Sequence, residues 1–295
     1  MRANLTIVVT CADRKSLPVT PALRYRDVPS GTPAERARVW QERLLMGGEK
    51  RPLRSLYQGE QWGESLRLAE VAVRVGFEPR VVVASAGLGL LPLSATAPAY
   101  AATFTLGKAD AVAQSLDQAV AWWAQVARFS SDLDLASLDD FVLLVLSRSY
   151  ALPLGDDLAC LGQSGAQSVL VGGASEIDGV VRVPSDAALR QTLGGTLSSL
   201  NQRMAIRFLE LSEGPAGWLS DAHLLRWNAW VEHSRHREVF DRRRLGDDEI
   251  RAWIQAIAVR ETVSATRALR RYRGEGYACE QSRFGRLYRE VVTEK

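Results

Sequence analysis

Four β-branched residues in a row, Thr6, Ile7, Val8 and Val9, lie inside the apolar run Leu5 to Thr10. A strand with one wet face alternates apolar and polar residues; a run without alternation reads as a strand buried on both faces, as in the middle of a parallel sheet. The segment that leaves it, Cys11-Ala-Asp-Arg-Lys15, is polar. In open α/β sheets ligands bind beyond the carboxyl ends of the strands, so this exit is the first place to look for chemistry.

The rest of the chain supplies strands and their covering helices in alternation. Thr32-Pro-Ala-Glu35 combines a cap, a proline at the first helical position and a capping-box glutamate, so a helix follows to about residue 45. A second helix spans about 61–75 and stops at Gly76. Further strands read over 80–85, 141–146, 168–171 and about 179–183, with helices over about 110–129 and 197–211 between or after them. This order predicts an α/β fold with a predominantly parallel, three-layer sheet.

Gly214-Pro-Ala-Gly217 is a breaker cluster. The expected organisation is an α/β catalytic or base-recognition domain over 1–213, a helical linker region over 214–244 and a C-terminal domain over 245–295. Three short helices in the last segment can enclose one small core, an arrangement that resembles helix-turn-helix and winged-helix DNA-binding domains. The net charge of the chain is only +3, but residues 251–295 carry ten Lys or Arg against five Asp or Glu. Arg267, Arg270, Arg271, Arg273, Gln281, Arg283, Arg286 and Arg289 are the candidate DNA contacts of that segment.

Cys11, Cys160 and Cys279 are isolated, which argues against a disulfide framework. No apolar signal segment or uncharged 18-residue span is present, so a cytoplasmic protein without a membrane partner is expected. His223, His233 and His236 lie in one helical region without a cysteine nearby, and no metal site is expected. The glycines around 87–89 do not complete a dinucleotide fingerprint, and no P-loop occurs, so no cofactor is expected either.

Polar residues at separate strand exits form the candidate site. Asp13, Ser85 and Ser147 are the candidate catalytic residues; Asp13 can orient water or stabilise a developing sugar cation. Lys15, Gly87, Gly89 and Arg148 are candidate phosphate contacts. Tyr57 and Tyr150 offer faces on which a base can stack, and Asn201 and Arg203 are further candidates for base recognition. Each has an ordinary structural alternative: Tyr57 as a core side chain, the glycines as a tight turn, Asp13 as a local cap.

Cys11 and Lys15, Tyr57 and Gly59, and Ser85-Ala86 with Gly89-Leu-Leu-Pro92 together resemble the pattern of the bacterial peroxide-stress YaaA group. That resemblance covers roughly residues 4–150 and implies nucleic-acid or modified-base chemistry. It also implies a core similar to the uracil-DNA-glycosylase superfamily, although the Gly-Gln-Asp-Pro-Tyr-like loop of that superfamily is replaced here by Thr10-Cys-Ala-Asp-Arg-Lys15. The expected function is glycosylase-like hydrolysis that removes a modified or damaged base from DNA, including modified foreign DNA in antiphage defence. The alternative is a noncatalytic DNA-binding regulator whose α/β domain senses a ligand.

Overall fold

The computed structural model describes residues 2–129, 133–138, 140–236, 242–260 and 263–293. The chain forms two units, 1–236 and 237–295. In the first, β1 (Ala3–Thr10) is followed by α1 (Pro33–Met46), β2 (Lys50–Pro52), α2 (Leu53–Leu56) and α3 (Glu60–Arg74). Then come β3 (Phe77–Ser85), β4 (Gly89–Pro92), β5 (Thr96–Pro98), α4 (Leu116–Val126) and β6 (Phe141–Leu146). After α5 (Arg148–Ala151) and α6 (Gly155–Gln163), β7 (Gln167–Gly172) and β8 (Val180–Val183) complete the strands of this unit. It ends with α7 (Arg190–Leu193), α8 (Leu200–Glu210) and α9 (Asp221–Ser234).

Six strands form one sheet in the order β4-β3-β1-β6-β7-β8. Leu5, Ile7, Val8 and Val9 are fully buried at its centre, as the unalternated run requires. The expectation of a predominantly parallel three-layer sheet is corrected, because the sheet is mixed: β4 runs antiparallel to β3, with Ser85 opposite Gly89. The three residues 86–88 make a hairpin turn, and Gly89 at φ +75° begins the return strand. The chain first adds β3 on one side of β1 and later β6 on the other. The ends of β1 and β6 thus flank the point where the direction of winding reverses, the usual place for a ligand crevice.

Local chemistry explains where the helices begin. Thr32 and Glu35 close a reciprocal capping box at α1. The helix expected from about residue 110 starts only at Leu116, where the Ser115 side chain accepts from the Gln118 amide. Asp110 is used differently: its carboxylate accepts from the Arg26 backbone amide at 3.2 Å and Nε at 2.9 Å. Segment 214–236 packs into the first unit because Phe208 meets Trp218 and Trp227 edge-on, with centroids 5.9 and 5.3 Å apart. The Trp218 indole also donates to the Gln167 carbonyl at 3.0 Å.

The second unit holds β9 (Arg243–Arg244), α10 (Asp247–Arg260), α11 (Ala265–Gly274), β10 (Tyr277–Ala278) and α12 (Gln281–Thr293). Ile250, Ile254, Leu269, Tyr272, Phe284 and Leu287 form its own buried core. The expected helix-turn-helix-like domain is also corrected. No clear arrangement of that kind is shown: β10 separates α11 from α12 and pairs in parallel with β9. Among the described residues no helix is long and apolar enough to cross a membrane.

Candidate functional site

Beyond the ends of β1, β6, β7 and β8 lies a cavity of about 690 Å³. Its walls include Thr10, Cys11 and Asp13 from the β1 exit, and Ser147, Arg148, Ser149 and Tyr150 from the β6 exit. Gln61, Thr103, Thr105, Arg182, Ser185, Ser198, Leu200 and Asn201 line it from other segments. Five of the residues nominated from the sequence therefore meet in one space: Asp13, Ser147, Arg148, Tyr150 and Asn201.

Much of the cavity's polar wall is held by the protein itself. Gln61 donates to the Thr10 hydroxyl at 2.8 Å, and the Cys11 thiol lies 3.2 Å from the Tyr150 hydroxyl. Burial pushes the Tyr150 phenol well above its ordinary pKa, and negative charge at Cys11 would push it the same way, so it stays protonated. Asn201 donates to the Leu146 carbonyl at 3.4 Å and accepts from the Ser185 hydroxyl, which ties α8 to the β6 exit. Arg182 donates to the Gly172 carbonyl at 3.3 Å and to Glu176 at 2.9 Å.

Asp13 and Arg148 differ from these neighbours. Both are exposed. Among the described residues, nothing donates a hydrogen bond to the Asp13 carboxylate, and Arg148 makes neither a side-chain hydrogen bond nor an ion pair. These opposite charges stand at the wall of one cavity without a hydrogen bond or ion pair on either side chain among the described residues, which leaves them available to a ligand.

The remaining nominated residues are placed elsewhere. Lys15 curls back so that its amine donates to the Ala12 and Asp13 carbonyls at 3.0 and 3.1 Å, and it lies 4.4 Å from the Tyr100 ring centroid. Burial lowers its pKa, against the opposing charges of Cys11 and Asp13. Tyr57 is 2% exposed and joins its hydroxyl to that of Tyr100 at 2.6 Å, so its face is not offered to a base. Tyr100 in turn lies 2.5 Å from the Ser85 hydroxyl oxygen, which also accepts from the Gly87 and Leu88 amides at 3.1 Å. Burial raises both phenols well above their usual range.

The glycine loop is closed by the same neighbours. Trp40 donates to the Gly87 carbonyl at 2.8 Å, and Trp122 to the Ala86 carbonyl at 2.7 Å. A Cβ on Gly87 would come 2.7 Å from the Tyr100 ring, and one on Gly89 would come 2.5 Å from the Val126 carbonyl oxygen. These glycines allow close packing, and the Gly87 amide is spent on Ser85. Neither glycine, nor Ser85, lines the cavity.

Arg203 bridges α8 to α3 through Glu60 at 3.1 Å and Glu64 at 2.9 Å. Hydrogen bonds from the Ser199 hydroxyl, the Thr196 amide and Arg203 hold Glu60 down at about 2. In the second unit Arg283 and Arg286 both pair with Asp247, at 2.5 and 3.1 Å. Arg271 pairs with Glu275 at 3.2 Å, and Arg273 donates to the Cys279 carbonyl at 2.8 Å. Arg267, Arg270, Gln281 and Arg289 are exposed. Among the described residues those three arginines make no ion pair.

Sequence reasoning missed Gln61, Thr103, Thr105, Arg182, Ser185 and Ser198. Arg182 had a signal, a charge inside the short strand Val180-Val-Arg-Val183. The others are ordinary polar residues whose convergence depends on sheet order. Among the described residues no group of three or more His, Cys, Asp or Glu is placed to hold a metal ion. No protein family, curated protein or solved structure matched the chain.

Proposed function

We propose that this chain hydrolyses the N-glycosidic bond of a modified or damaged base, with one nucleotide unit held in the sheet-end cavity. The observation that carries the reading is the pair of uncommitted opposite charges, Asp13 and Arg148, in a cavity of nucleotide size. Arg148 holds a phosphate oxygen by charge-assisted hydrogen bonds. Asp13 faces the sugar, where its carboxylate stabilises positive charge as the bond from C1′ to the base nitrogen breaks. Water adds its oxygen to C1′, and the proton it gives up ends on the departing base. Ser147 and Asn201 lie at the same wall and can orient the sugar and the base.

DNA is the substrate proposed, because the second unit keeps Arg267 and Arg270 three residues apart on α11, and Arg289 on α12, outside its internal ion pairs. A DNA substrate, whether cellular or foreign, goes with a cytoplasmic location. Three phosphate contacts would give a logarithmic salt slope of about 2.7 on duplex DNA.

The test is incubation of the full chain with a panel of modified and unmodified DNA, free base and abasic sites being measured by mass spectrometry. Free base is expected from at least one modified substrate, and Asp13→Asn is expected to lower its release about 100-fold while DNA affinity is kept. A second reading, ligand sensing coupled to DNA binding, draws on the internally satisfied groups of the cavity wall. It predicts nucleotide binding with no released base from any substrate.

A further inference from the structure

A second space of about 370 Å³ adjoins the cavity, lined by Phe104, Leu106, Leu116, Ala119, Leu152 and Pro153. Thr105, Ser147, Arg148 and Ser149 line both spaces, so the two share a rim. The first space mixes hydroxyls, amides and charge with hydrocarbon, whereas beyond the rim the second is walled by hydrocarbon except at Ser115. Leu106 and Leu116 stay 54% and 44% exposed. Scattered exposed leucines are ordinary, but two around one concavity, next to an arginine without a protein partner, are not scattered. Phe104 backs this wall at 2% exposure, held edge-on against Tyr150 at 5.2 Å and Trp123 at 6.1 Å, so the surface left to a ligand is largely that of the leucines.

We infer that this pocket is a second subsite, which takes an uncharged apolar group carried by the same ligand whose anionic group lies on Arg148. For the base-releasing reading it names the substrate class, a nucleotide with an apolar substituent attached. It rests on that reading for the word nucleotide alone, since the pairing of an anion on Arg148 with an apolar group beside it requires neither Asp13 nor bond cleavage.

Benzyl phosphate and methyl phosphate are the probes, each titrated into the full chain with affinity read by calorimetry. Benzyl phosphate is expected to bind about tenfold more tightly, the return on burying part of one ring. The variant Leu106→Ser/Leu116→Ser alters exposed side chains and is expected to melt with the parent while the two affinities become equal. Arg148→Ala is expected to weaken both probes by the same factor. Equal binding of the two probes to the parent overturns the inference, as does a preference for benzyl that survives the double variant. A double variant that changes the oligomeric state and leaves the preference intact assigns the pocket to a second copy of the chain, which also overturns it. A panel that releases no base while the benzyl preference holds removes the glycosidase reading and keeps the subsite; base release without the preference does the reverse.

Discussion

At the end of β3, Ser85 is enclosed by the Tyr100 hydroxyl, two loop amides and the indoles of Trp40 and Trp122 on the adjoining carbonyls. At the ends of β1 and β6, in the same sheet, Asp13 and Arg148 stand at a cavity wall without such partners. Both places are segments leaving buried strands: a glycine loop after β3, and the charged segments Cys11–Lys15 and Ser147–Tyr150 after β1 and β6. The difference lies in what the following chain does. After β3 it turns back at once as an antiparallel strand, and Tyr100 and the two indoles fill the turn. Between β1 and β6 the winding direction reverses, and a cavity is left beyond the strand ends.

If the β3 exit is structural, damage there should appear as lost stability. Gly89→Ala places a Cβ 2.5 Å from the Val126 carbonyl at a backbone φ of +75°. It should cost about 3 kcal/mol in urea unfolding and leave the affinity for methyl phosphate unchanged once folded. Tyr100→Phe removes the hydroxyl that joins Ser85 to Tyr57 and should cost about 2 kcal/mol by the same measurement. A cavity whose affinity fell with either change would erase the distinction between the two exits.

Arg148→Ala should do the opposite. With no protein partner lost, its stability should stay within about 0.5 kcal/mol of the parent. Its affinity for methyl phosphate, followed by calorimetry, should fall about tenfold, the worth of one charged hydrogen bond.

The smallest effect is expected at His223, outside both exits. Its Nε2 faces the Phe208 carbonyl at 2.9 Å and its Nδ1 accepts from the Leu219 amide at 3.3 Å, which fits the neutral ring. Burial holds its pKa below the ordinary 6.5. Its contribution to stability is therefore complete above that value and is lost as the pH falls through the folded pKa, because the unfolded chain takes up the proton first. Urea midpoints measured downward from pH 7.5 should decline in the parent and decline less in His223→Gln.

The sequence made the buried centre of the sheet legible through residues 6–9, and α1 through its capping box. It also brought Asp13, Ser147 and Arg148 forward, because a parallel strand directs its exit toward one edge. Pattern alone did not show that Gly87 and Gly89 make a hairpin rather than an open loop, since the reason is Tyr100 and Val126 packed against them. Tyr57 and Tyr150 carry the same ring, yet one is sealed against Tyr100 and the other lines the cavity. In the C-terminal unit, charge counting could not anticipate that Asp247 engages both Arg283 and Arg286.

The most direct measurement is the free base released from a modified-DNA panel by three proteins: the parent, Asp13→Asn and Ser85→Ala. Release is expected from the parent and from folded Ser85→Ala, and nearly none from Asp13→Asn. Release that survives Asp13→Asn but vanishes in folded Ser85→Ala, or no base from any substrate, would contradict this expectation.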